Sequence, residues 1–153
     1  MKKIRVGWFS FTCSEDSTII FTEILNDYYN IWKEKIEFVN ARILKASGEI
    51  KDLDIAFVEG AISSPTQETE LKKIRRESKV LIAVGSCAIN AMPAGLRNTF
   101  GKKEREEIKF IMDRFSHLEY VEPISKFVKV DDKIPGCPME PKKFLEVLNK
   151  YIK

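Results

Sequence analysis

Val80-Leu81-Ile82-Ala83-Val84-Gly85-Ser86-Cys87-Ala88 is the stretch on which the reading of this chain turns. Five consecutive apolar residues, three of them β-branched, suit a strand covered on both faces rather than on one. The run empties straight into glycine, serine and cysteine, a turn of small residues at a strand's carboxyl end. Working outward, Leu53-Asp54-Ile55-Ala56-Phe57-Val58 is a second such run that stops at Glu59-Gly60, and Ile4 to Phe11 is a third, broken only by Arg5, Gly7 and Ser10. Ile36-Glu37-Phe38-Val39 with Ala41 to Leu44 makes a weaker strand.

Helical patterns separate these runs. Ser14-Glu15-Asp16-Ser17 offers N-cap chemistry and first-turn acids, followed by Ile19, Ile20, Phe21, Ile24, Leu25, Tyr28 and Tyr29 at helical spacing, with an end near Trp32. Thr66 to Lys79 reads as a charged helix with Leu71 and Ile74 inward. Lys102 to Phe115 reads as a surface helix with Ile108, Ile111, Met112 and Phe115 inward, and Pro141 to Tyr151 as a closing helix. Between the last two, Tyr120 to Cys137 is rich in Val, Ile and Pro and predicts short strands. Strands alternating with helices predict a mainly parallel sheet with right-handed crossovers.

Composition sets bounds on this reading. A chain of 153 residues, 44% hydrophobic and 32% charged, is long enough to bury one core and is expected to form a single domain over 1–153. With 26 basic and 23 acidic residues, its net charge of +3 is too balanced to call for a nucleic-acid partner. No apolar stretch reaches the roughly eighteen residues that a membrane span needs. Lys2-Lys3 ahead of Ile4 lacks the apolar region and cleavage site of a signal peptide, so a cytoplasmic location is expected. Three cysteines are a poor disulfide plan and point the same way.

Ligands in an open parallel sheet gather beyond the carboxyl ends of its strands. Cys13 follows the first strand, Glu59-Gly60 the third and Cys87 the fourth. Cys137 lies in Ile134-Pro135-Gly136-Cys137-Pro138, whose glycine and prolines bend the backbone. Three thiols delivered to one rim suit a soft-metal site, whereas buried core cysteines are the plainer alternative. A thiol-redox role for Cys13 near a helix N-terminus, where the dipole lowers a thiol's pKa, is a further option. The basic clusters Lys72-Lys73-Ile74-Arg75-Arg76 and Lys102-Lys103-Glu104-Arg105 read as solvated helix faces, and the lone His117 as a surface or capping residue. Gly85-Ser86-Cys87 is no phosphate loop or dinucleotide fingerprint, although the rim could accept a flavin.

Four segments carry a family resemblance: Phe11-Thr12-Cys13-Ser14-Glu15-Asp16, Val58-Glu59-Gly60-Ala61-Ile62, Val84-Gly85-Ser86-Cys87-Ala88 and Pro135-Gly136-Cys137-Pro138. In order and separation they resemble the signature segments of the small-subunit family of nickel-iron hydrogenases and complex I. The resemblance implies a flavodoxin-like three-layer fold. It also implies an iron-sulfur cluster held by Cys13, Cys87 and Cys137, relaying electrons to or from a large nickel-iron hydrogenase-type subunit and other electron-transfer subunits. The chain would be an oxidoreductase component, not catalytic alone, and ending at Lys153 it is expected to carry at most one cluster.

The family opens with two cysteines where this chain has one. Ser14 stands in the missing place if the pair is adjacent, Asp16 or Ser10 if it is spaced. The cluster would then be 4Fe-4S with an oxygen ligand, or 3Fe-4S. The alternative expectation is a cluster-free scaffold or assembly module that docks to the same kind of large subunit. Glu15 and Glu59 are candidates for the interface rim, as is an apolar group of Trp8, Phe9, Phe11, Met92, Pro93 and Leu96.

Overall fold

The computed structural model describes residues 2–152. Six strands form one sheet: β1 (Ile4–Ser10), β2 (Ile36–Ala41), β3 (Ala46–Ser47), β4 (Leu53–Glu59), β5 (Ser78–Val84) and β6 (Asp132–Ile134). Their order across the sheet is β3-β2-β1-β4-β5-β6, and every neighbouring pair is parallel except β2 with β3. Five α-helices accompany them: α1 (Asp16–Lys35), α2 (Pro65–Arg76), α3 (Gly85–Asn90), α4 (Lys102–Arg114) and α5 (Pro141–Tyr151). The architecture is a mostly parallel α/β sheet with helices on both faces. Among the described residues no helix is long and apolar enough to cross a membrane.

Alternation along the strands sorts their side chains into two cores. Val6, Trp8, Ile55, Phe57, Ile82 and Val84 face α1 and α5, where they meet Phe21, Ile24, Leu25, Trp32, Phe144 and Leu148. Phe9, Ala56, Val58, Leu81 and Ala83 face the other way, against Leu71 and Ile74 of α2 and Ala88 of α3. Both layers are apolar, which is why the strands read as continuous runs. Trp8 stacks on Phe21 at 4.4 Å and meets Phe144 edge-on at 6.1 Å, contacts worth about 0.5–1.5 kcal/mol each beyond the area they bury.

Several boundaries differ from the sequence reading, each for a local reason. Ser14 does not cap α1: Glu15 takes the N-cap position in the left-handed region at φ 58°, with no side-chain cap bond. The helix continues to Lys35, where Lys33 and Lys35 complement its dipole. The second strand ends at Ala41 and gives way to a 3₁₀ turn at Arg42–Leu44 before β3 returns antiparallel. α2, capped by the Ser64 hydroxyl, ends at Arg76 rather than Lys79, because Ser78 already pairs with Leu53 and Arg75 donates to the carbonyls of Ser78 and Lys79.

α4 departs furthest. Ile111 and Phe115, expected inward, are 43% and 62% exposed, and no residue of α4 is fully buried. With both sheet faces already covered, α4 has no strand to lie on. Its half-buried stripe is Arg105, Ile108 and Met112.

One glycine is required where β1 and β4 leave the sheet. Gly60 has φ +89°, and a Cβ there would stand 2.8 Å from the Phe11 carbonyl carbon and 2.9 Å from the Thr12 nitrogen. That close approach lets Thr12 and Ala61 exchange backbone hydrogen bonds at 3.0 and 2.9 Å, fixing the loop that carries Cys13. Gly60→Ala is therefore expected to cost on the order of 2–3 kcal/mol, read as a lower denaturant midpoint at unchanged m-value.

Candidate functional site

Register brings the strand ends to a common rim. Ser10 lies opposite Glu59, Glu59 opposite Val84, and Val84 opposite Ile134. The loops leaving these positions place Cys13, Cys87 and Cys137 around one small cavity, together with Asp16, Ser17, Glu59 and Gly136. Protein hydrogen bonds close the rim. The Ser86 N–H donates to the Gly136 carbonyl at 2.8 Å, and the Met139 N–H to the Ser17 hydroxyl at 3.0 Å. Gly136, at φ +117°, makes the turn before Cys137: a Cβ there would fall 2.3 Å from the Pro138 carbonyl oxygen.

Convergence of the thiols on one edge is thus found, but the chemistry of the donors is unlike that of a cluster site. The cavity they share is about 10 Å³, room for about one water molecule. Among the described residues no group of three or more His, Cys, Asp and Glu side chains could hold a metal ion. The Cys137 thiol donates to the Asp16 carboxylate at 3.6 Å, and the Cys13 thiol to the Phe11 carbonyl at 3.8 Å. Burial pushes the Cys13 thiol up to about 12, and the Glu59 carboxylate adds to the rise. Cys87 is raised by burial and then by Asp16 and Glu59, against an opposing hydrogen bond from the Ala94 N–H. Desolvation and Asp16 raise Cys137. Thiolates are what an iron-sulfur cluster binds, and burial with the nearby carboxylates raises the pKa of all three thiols here.

The expected electron relay through a 4Fe-4S or 3Fe-4S cluster, and with it the iron-sulfur and metal-binding description, is corrected by these findings. Of the residues considered for the fourth position, Asp16 lines the cavity but is engaged by Cys137 and by the Ser17 N–H at 2.9 Å. Ser14 is exposed and does not line it. Ser10 is turned to Thr18 and Glu59. The helix-dipole argument for a reactive Cys13 fails as well, since burial and Glu59 outweigh it.

Glu59 is the residue whose role the sequence hid. It is 2% exposed and lines the cysteine cavity from within, so it is not part of an exposed interface surface. Its Oε1 accepts from the Ser17 N–H at 3.0 Å and its Oε2 from the Thr18 hydroxyl at 2.6 Å and the Ser10 hydroxyl at 3.4 Å. Burial raises its pKa despite these donors. The available signal was an acid closing a run of buried strand residues, a position that needs donors from a neighbouring element.

The apolar rim resolves into two parts. Trp8 and Phe9 belong to the cores, whereas Met92 and Leu96 are exposed, with Phe100 beside them in sequence. Their segment follows α3 and packs through Ala94 next to Cys87, Ala61, Ala91 and Val121. The His117 Nδ1–H donates to the Ser63 carbonyl at 3.2 Å, a structural contact. Within the first basic cluster, Lys72 pairs with Glu68 on a solvated face, but Arg75 turns inward to Asp131.

Comparison with known proteins agrees with this scaffold. The model of the NADH ubiquinone oxidoreductase 20 Kd subunit family matches residues 13–151. A subunit of the vhu F420-non-reducing hydrogenase of Methanocaldococcus jannaschii is 34% identical over 126 residues, covering 74% of this chain and 44% of that protein. The sulfhydrogenase 2 subunit delta of Pyrococcus furiosus is 26% identical over 159 residues, covering 95% and 60%. This chain thus spans less than two thirds of the length of these relatives. Among solved structures, a chain of an NAD+-reducing [NiFe]-hydrogenase in the H2-reduced state superposes with a TM-score of 0.83 at 26% identity, over 97% of this chain and 90% of that one. The chain belongs to the family of nickel-iron hydrogenase small subunits and the 20 kDa subunit of complex I.

Proposed function

We propose that this chain is a cluster-free scaffold or assembly module that docks to a large subunit of the nickel-iron hydrogenase type. The observation that carries the reading is the state of the rim. Cys13, Cys87 and Cys137 lie with Asp16 and Glu59 around a space of about 10 Å³, and among the described residues no group of three or more His, Cys, Asp and Glu side chains could hold a metal ion, on a family scaffold. A subunit with this rim contributes shape and surface to its partner rather than a redox centre.

The fold is read as flavodoxin-like, since the parallel strands follow the order β2-β1-β4-β5-β6, equivalent to the 2-1-3-4-5 arrangement of that fold. One sheet with helices on both faces supports treating the chain as a single three-layer domain. Three free cysteines with no disulfide among them suit a reducing, cytoplasmic setting. The docking face is the exposed apolar segment beside Cys87: Met92 is 36%, Leu96 56% and Phe100 38% exposed. Apolar groups of this size beside the rim fit the buried centre of a protein interface.

Two outcomes check the reading. The protein purified anaerobically is expected to be colourless and to bind a nickel-iron hydrogenase-type large subunit in a co-purification assay. Leu96→Asp and Phe100→Asp should each weaken that complex at least about tenfold, as interface anchors do. Stoichiometric iron and sulfide in the purified chain, or no complex at all, would refute it. Thiol labelling tests the rim itself. A Cys13 thiol near 12 instead of its ordinary 9.0 should react roughly a thousandfold more slowly in the folded than in the unfolded protein at neutral pH, measured by mass spectrometry of the labelled peptides. Cys13 reacting fastest would exclude a protonated rim.

A further inference from the structure

A second cavity, of about 420 Å³, lies between the 3₁₀ turn Leu96–Thr99 and α4, and Arg97, Arg105, Lys109, Asp113, His117 and Glu119 line it. Its volume is within the range of small-molecule sites, and its charges are unusual. Arg97 donates from Nη2 to the Leu118 carbonyl at 2.7 Å, yet its Nε is buried and meets no acceptor among the described residues. Arg105 donates from Nε to the Phe100 carbonyl and from Nη2 to the Asn98 carbonyl, both at 3.1 Å, with its guanidinium 4.7 Å from the Tyr120 ring centre.

Neither guanidinium has a carboxylate partner among the described residues. Asp113 is held by Lys109 at 3.4 Å, and Glu119 pairs with no cation among the described residues. Two like charges beside one cavity repel each other, and Arg97 is lowered from its ordinary pKa by burial first and by Arg105 second. Both arginines are half-buried, and the one buried N–H without an acceptor, Arg97 Nε–H, calls for an unseen partner. The carbonyl bonds hold both guanidiniums in place and leave further N–H groups without a protein acceptor, donors of the kind that carboxylate or phosphate oxygens accept. Ile108 and Met112 complete the lining with apolar surface suited to the body of an organic acid or ester.

We propose that this cavity binds a small oxyanion, the carboxylate of an organic acid or a phosphate group, between Arg97 and Arg105. The site is separate from the cysteine rim and does not rest on the docking reading. Nitrogen-15 labelling of arginine gives a direct test on the unmodified protein, by following the Arg97 Nε–Hε signal through titrations with inorganic phosphate, with succinate, and with chloride at matched ionic strength. The expected result is a saturating shift with phosphate or succinate and none with chloride; the stronger ligand distinguishes the phosphate class from the carboxylate class. Arg97→Gln should weaken that ligand at least about tenfold. Glu119→Gln, at an exposed position, removes the competing acid and should tighten it. An Arg97 signal unmoved by both oxyanions, or moved equally by chloride, overturns the proposal.

Discussion

The buried carboxylate of Glu59 is the interaction on which the rim depends. An ionised or hydrogen-bonded acid at 2% exposure is tolerated only where donors surround it, because moving a charge out of water costs several kcal/mol in a protein. Those donors come from two elements, the Ser10 hydroxyl at the end of β1 and the Ser17 N–H with the Thr18 hydroxyl in the first turn of α1. Thr18 also accepts from the Trp8 indole at 2.9 Å, so the polar knot runs into the aromatic core of Trp8, Phe21 and Phe144. Strand, helix and core are thereby held in one register. With its oxygens engaged, Glu59 contributes negative potential to the cysteine cavity, not a free ligand.

Much of the fold was legible because burial on both faces leaves an unmistakable pattern. Leu53 to Val58 and Val80 to Val84 read as covered strands and are covered strands, and Pro141 to Tyr151 has the bounds its sequence implied. Errors arose where tertiary contacts decide. Ser78 and Lys79 look helical from the charged run before them, but Arg75 seizes their carbonyls and β4 pairs with the first. Ile111 and Phe115 sit at helical spacing, yet periodicity reports which residues share a face, not whether a sheet lies beneath it. The N-cap of α1 was misplaced because Ser14 offers good capping chemistry, whereas the chain reaches the helix through a left-handed Glu15.

The candidate site was legible in position and illegible in chemistry. Topology alone sends Cys13, Cys87 and Cys137 to one edge, and their shared cavity is there. Sequence spacing carries no information on volume or on the potential at a sulfur atom. Both depend on where Asp16 and Glu59 fall, and those positions follow from the turn into α1. Asp16, weighed as a stand-in ligand, instead accepts the proton of Cys137 in a hydrogen bond. The two guanidiniums beside α4 were hidden for a related reason: Arg105 belonged to a basic run that reads as a solvated face, and Arg97 to a segment without periodicity.

A rim closed by a metal cluster would be expected to loosen when a ligand is absent, since metal binding contributes to folding where the metal completes the structure. Here the loops are joined without any sulfur. Thr12 exchanges backbone bonds with Ala61, Ile62 with Glu122, Ser86 reaches Gly136, and Met139 reaches Ser17. Each bond links loops that leave different strands, so the strand ends are held by peptide groups and by Glu59 whatever the thiols do. The stability of the scaffold is therefore uncoupled from the number of cysteines at its edge. That uncoupling is the physical condition under which the fold can persist while the donor set departs from what a cluster requires.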